Sequence, residues 1–165
     1  MNRSLILNAA WHIATQKDPY LSAILKAKYY PNTSFWLSKN SSTKSIFWSS
    51  ILQIKQSLAQ NCLFQTHKGD SSIWSFPWFP LWETIHDHLI LPVTRPNLPH
   101  KVADLWHPHT RQWNRELITE IFSEQVADAI THIITVPSEE PDIIRWTPAA
   151  KGTCTAEDAF NFLNS

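Results

Sequence analysis

Residues 63–80 read LFQTHKGDSSIWSFPWFP. Lys68-Gly69-Asp70 separates two short β-prone runs, 62–66 and 71–76, and Gly69 can take the positive φ that a tight turn demands. The expectation is a β-hairpin with Ile73 and Ser75 on one side and Trp74 and Phe76 on the other. Pro77 and Pro80 then end the ladder, because neither offers an N–H. Trp74 and Trp78 read as packing a small core around the hairpin rather than as a contact surface, given the area each ring buries.

Upstream the pattern is helical. Residues 5–14 read as a short helix, and Pro19 at a first-turn position opens a second one that ends at Tyr30-Pro31. Leu21, Ile24, Leu25 and Lys28 place a narrow apolar stripe beside basic positions. A polar connector, 32–45, leads to Phe47, Ile51, Ile54 and Leu58, spaced at i, i+4, i+7 and i+11 as on one helix face.

Downstream, Pro92, Pro96, Pro99 and Pro108 break up 81–112, which reads as an irregular loop. Asn114 can cap a helix through Phe122, and Ser123 a shorter one over 124–130. Ile143–Trp146 and 152–155 read as a second hairpin, and Thr155 as the cap of a last helix. That helix would carry a face of Ala159, Phe160 and Leu163, with Phe160, Phe162 and Leu163 partly exposed. The expected fold class is α+β, mainly short helices with two small β-hairpins and a Pro-rich irregular middle.

The net charge of zero conceals an imbalance. Residues 1–68 hold eight Lys/Arg against one acid, +7, and residues 69–165 hold six against thirteen, −7. Such a split is expected where one half faces a polyanion, or where the halves face each other. Lys26, Lys28, Lys39, Lys44 and Lys55 are interleaved with Tyr29, Tyr30 and Trp36, whose rings could stack on unpaired bases. These eight residues form the expected nucleic-acid contact set, with RNA or DNA as the partner. The alternative is that lysines solvate helix faces while the aromatics build the core.

Catalytic and metal chemistry find little to stand on. The adjacent acidic pairs are Glu139-Glu140, in a loop-like stretch, and Glu157-Asp158, at a helix start where acids favour the dipole. His86, His88, His100, His107 and His109 form two H-x-H pairs and a single residue, without a C-x-x-C or H-E-x-x-H frame. They are expected as surface or capping histidines; no metal and no cofactor is expected. Cys62 and Cys154 give no disulfide framework. No stretch reaches the roughly 20 apolar residues of a membrane span, and the start Met1-Asn2-Arg3-Ser4-Leu5 lacks a secretory apolar run, so an intracellular protein is expected.

Several pieces resemble one family in order and spacing. They are Asn8-Ala9-Ala10-Trp11, Leu25-Lys26-Ala27-Lys28-Tyr29-Tyr30-Pro31, Phe47-Trp48-Ser49-Ser50-Ile51, Gly69-Asp70 with Ile73-Trp74 and Pro77-Trp78-Phe79-Pro80, Trp113-Asn114 with Ile121-Phe122, and Asp142 through Trp146 with Lys151-Gly152. The whole resembles the segment after the polymerase domain in plant non-LTR (LINE-type) retrotransposon reverse transcriptases. The same segment occurs in plant proteins of the ribonuclease H and reverse-transcriptase zinc-binding kind. Departures are Phe76 in place of an Asp, Lys68 inside the turn and Cys154 in place of an aromatic.

The resemblance implies four stretches: 1–61 basic and helical, 62–80 the Trp-rich hairpin, 81–112 the Pro/His-rich loop region, and 113–165 leading into a truncated zinc-binding-type module. The polymerase and ribonuclease H chemistry of that family needs clustered carboxylates, and this sequence has no Asp-Asp dipeptide to supply them. The expectation is a non-catalytic retrotransposon-derived fragment with weak RNA or DNA binding. The alternative is a host-reused module that binds a protein partner through exposed aromatics.

Overall fold

In the computed structural model, residues 2–39, 45–90 and 97–165 are described. Along the chain these form α1 (Arg3–Ala14), α2 (Pro19–Tyr29), α3 (Ile46–Gln60) and β1 (Cys62–Gln65). Two 3-10 helices follow, Trp82–His88 and Val102–Leu105, then α4 (Arg115–Ile121), α5 (Glu124–Thr131), β2 (Ile143–Trp146) and α6 (Ala156–Leu163). The class is α+β, with β1 and β2 paired as a two-stranded antiparallel sheet. The chain divides into two compact units: residues 1–63 with 144–165, and residues 64–143. The 113–165 stretch is therefore parted between them.

In the first unit, side chains start each helix. Asn2 Oδ1 accepts from Ser4 N at 3.0 Å, Asp18 Oδ1 from Leu21 N at 3.0 Å, and Ser45 Oγ from Trp48 N at 3.1 Å. These bonds satisfy donors that a helix leaves unpaired at its first turn. α1 buries Ile6, Leu7, Ala10, Trp11 and Ile13 and packs on α3 and α6. On α3 the buried stripe is Trp48, Ile51, Ile54 and Leu58. Trp48 takes the place expected for Phe47 because its indole is stacked on Tyr29 at 4.7 Å and on Tyr30 at 5.4 Å.

Trp146 is fully buried in the same unit, edge-on to Trp11 at 6.4 Å and to Phe162 at 5.2 Å. An aromatic that buries about 150–250 Å² gains about 4–6 kcal/mol at about 25 cal/mol per Å². On α6, Phe162 rather than Phe160 meets this ring, and Phe160 is exposed. Thr155 caps α6 reciprocally with Asp158.

In the second unit, α4 packs on α5, and Ile118, Ile121, Val126, Ala127 and Ile130 are buried. The span expected as an irregular loop holds both 3-10 helices, whose Trp82, Ile85, Val102 and Leu105 are buried. Pro92 and Pro96 lie outside the described residues. Asn114 caps α4 by accepting from Leu117 N, whereas the Ser123 side chain makes no capping bond to α5.

Neither expected hairpin forms. β1 pairs with β2, not with 71–76. Residues 71–73 instead meet 100–102: Ile73 N donates to His100 O at 3.0 Å and Val102 N to Ser71 O at 3.0 Å. Gly69 has φ +72° as the turn requires. Its N–H, however, donates to Asp142 Oδ1 at 2.9 Å. His67 N reaches the same oxygen at 2.7 Å, and Ser71 N reaches Oδ2 at 2.9 Å. With these donors committed to a distant carboxylate, the turn cannot close a local ladder. Of the second hairpin only the bond from Trp146 N to Gly152 O, 2.8 Å, remains.

Candidate nucleic-acid interface

The charge split persists, slightly reduced, when the chain is divided into its two units. The first unit carries nine Lys/Arg against Asp18, Glu157 and Asp158, +6, and the second carries five against eleven acids, −6. In the first unit Asp18 and Asp158 are engaged as helix caps. The Thr155 hydroxyl and backbone hold the Asp158 carboxyl below its usual range. Among the described residues the ion pairs Arg111–Glu139, Arg115–Glu124 and Arg115–Asp128 all lie in the second unit. Arg111 and Arg115 are thereby locally neutralised, while Arg3, Lys17, Lys26, Lys28, Lys39, Arg145 and Lys151 of the first unit are exposed.

The expected contact residues separate into two groups. Lys26 and Lys28, in the last turn of α2, and Lys39 are exposed. Lys26 and Lys28 are two positions apart, about 200° around the helix, and so do not share a face. The Lys28 ammonium lies 5.1 Å over the Tyr29 ring. Lys44 lies outside the described residues. Lys55 donates to the carbonyls of Trp36 at 2.8 Å and Ser38 at 2.5 Å, fastening the loop after α2 to α3.

The aromatic part of the expectation is corrected. Tyr29, Tyr30 and Trp36 are buried. Tyr29 and Tyr30 spend their faces on Trp48, and Trp36 stands edge-on to Phe35 at 5.3 Å. They form a core and offer no platform to a base. Trp78 is likewise buried, and Trp74 is half-buried against His86 at 5.0 Å.

Sequence spacing did not single out Arg3, Lys17, Arg145 and Lys151, all exposed on the basic unit. Arg3 lines an open cleft of about 300 Å³ with Ile6, Ser50, Gln53 and Ile54. A guanidinium beside a hydroxyl and an amide is suited to a phosphate oxygen. Only the tertiary packing of α1 on α3 assembles that set.

Other reactive groups are quiet. Burial pushes both the Cys62 and the Cys154 thiol up to about 12, so neither is a nucleophile near neutrality. His88 Nδ1 is 3.1 Å from Ser123 Oγ. Among the described residues no three His, Cys, Asp or Glu side chains are placed to hold a metal ion, and no helix is long and apolar enough to cross a membrane. No protein family, curated protein or solved structure matches the chain.

Proposed function

We propose that this chain is a non-catalytic module of reverse-transcriptase ancestry whose basic unit holds RNA or DNA by its phosphates. The observation that carries the reading is the +6 charge of the first unit, with Arg3, Lys17, Lys26, Lys28, Lys39, Arg145 and Lys151 all exposed. Cations spread around several faces suit a polyanion without reading its sequence. Burial of the aromatics removes base stacking from the reading and leaves electrostatics. The ordered motifs support the ancestry, and the non-catalytic character is supported by acids engaged in caps, in ion pairs and in the turn at Gly69.

Charge reversal tests it. Lys26→Glu, Lys28→Glu and Lys39→Glu together should weaken RNA binding and flatten its salt dependence by about 0.7 in log–log slope for each lost phosphate contact to a single strand. Lys68→Glu and Lys101→Glu in the acidic unit should leave both quantities near the parent values. Equal effects from the two sets would place the contact elsewhere.

A further inference from the structure

α2 turns one face inward and leaves another uncovered. Ser22, Leu25 and Tyr29 are buried, whereas Tyr20, Ile24 and Leu21 are 85%, 64% and 45% exposed. Tyr20, Ile24 and Lys28 follow at i, i+4 and i+8, and Leu21 stands beside them at about 100° per residue. One stripe thus presents three large apolar groups and a cation.

The acidic unit carries a complementary surface. Over 131–136 the side chains alternate inward and outward, leaving Ile134 at 89% and Val136 at 59% exposure. The segment is tethered at both ends. Ile133 O accepts from Trp113 Nε1 at 2.9 Å, and Ser138 N donates to His67 O at 3.2 Å. Glu139 and the exposed Glu140 follow directly. An apolar pair in an acidic unit matches an apolar stripe in a basic one, in both character and charge.

We propose that α2 of one copy docks on the 134–140 segment of a second copy. Tyr20, Leu21 and Ile24 cover Ile134 and Val136, and Lys28 meets Glu140. The two patches differ, so the contact is heterologous, and each copy keeps one free patch of each kind. Association therefore continues beyond the dimer unless the rotation closes a ring. Salt weakens the charged rim and spares the apolar part. The proposal goes beyond the nucleic-acid reading and does not depend on it.

Sedimentation velocity of the full chain without nucleic acid, over a concentration series at low and physiological salt, reads this directly. The expected result is mass that rises with concentration past the dimer and falls with salt. Ile24→Asp and Ile134→Asp alter exposed positions outside the core, and each alone should be monomeric. Mixed in equal amounts, the first still offers its 134–140 segment and the second its α2 stripe. The mixture should return to dimers and stop there.

Lys28→Glu and Glu140→Lys each set like charges against each other at the rim and should weaken association by about tenfold, and mixing those two should recover part of it. A parent chain that stays monomeric at every concentration overturns the proposal. So do variants that associate like the parent, or Asp variants that remain monomeric when mixed.

Discussion

Asp142 and Gly69 are 73 residues apart in sequence, yet the Asp142 carboxylate accepts the Gly69 N–H at 2.9 Å. His67 and Ser71 add their N–H groups to the same carboxylate, and Asp142 N donates back to Asp70 Oδ1 at 3.3 Å. The N–H groups of alternate residues 67, 69 and 71 converge on this one acid, as main-chain donors of a turn can around an anion. Here the anion is the chain's own. The arrangement ties the end of the acidic unit to its beginning.

Removing that carboxylate should cost much of the unit's stability. Asp142→Ala leaves three partly buried N–H groups without their acceptor, and a loss of about 2–4 kcal/mol is expected. Asp142→Asn keeps one acceptor oxygen and should cost about half as much. Urea unfolding of the full chain measures both. A loss below about 0.5 kcal/mol for the Ala variant would show that the turn is held by other means.

Gly69→Ala tests the same turn from the other side. A Cβ there would stand 2.7 Å from Trp106 and 2.8 Å from Ala103 N, at a φ of +72°. The left-handed backbone alone costs about 1–2 kcal/mol, and the backbone contact raises the total to about 2–4 kcal/mol. Thermal unfolding of the variant should show that loss. Parent-like stability would mean that the 103–106 segment can move aside freely.

Contacts between near neighbours are legible in the sequence, and contacts between distant segments are not. Asn114 and Thr155 are legible as caps because their partners lie three residues away, whereas Ser123, expected to cap α5, makes no such bond. The expected hairpins do not form because β-prone runs and a Gly turn specify extended chain without specifying its partner, and Asp142 lies far outside any local window. Tyr29, Tyr30 and Trp36 beside lysines looked like stacking rings. Nothing local distinguishes a ring that meets a base from one that meets Trp48. The Arg3 cleft was illegible for the same reason, being made by two helices that pack together.

Lys55 separates structure from binding. Lys55→Met removes the ammonium that holds the Trp36 and Ser38 carbonyls. It should lower stability by about 1–3 kcal/mol, while leaving the salt dependence of RNA binding as in the parent. Calorimetry and a salt titration on the same variant distinguish the two roles. A flattened salt slope with unchanged stability would assign Lys55 to the interface instead.

The thiols predict an alkaline limit. Burial raises Cys62 and Cys154 from 9.0 to about 12, so the folded chain retains protons that the unfolded chain releases. Their stabilising contribution is complete below about pH 9 and is lost as pH climbs towards 12. Denaturant midpoints should fall across that window, and the Cys62→Ala/Cys154→Ala chain should show a shallower fall. Rapid alkylation of both thiols in the native chain at pH 8 would contradict this account.

The central claim is electrostatic capture of nucleic acid by the basic unit, and fluorescence anisotropy with labelled single-stranded and hairpin RNA tests it most directly. The full chain should bind at low salt, with log affinity falling linearly against log salt and little preference for sequence. A folded chain that binds neither RNA at low salt, or binds with an affinity indifferent to salt, would contradict it.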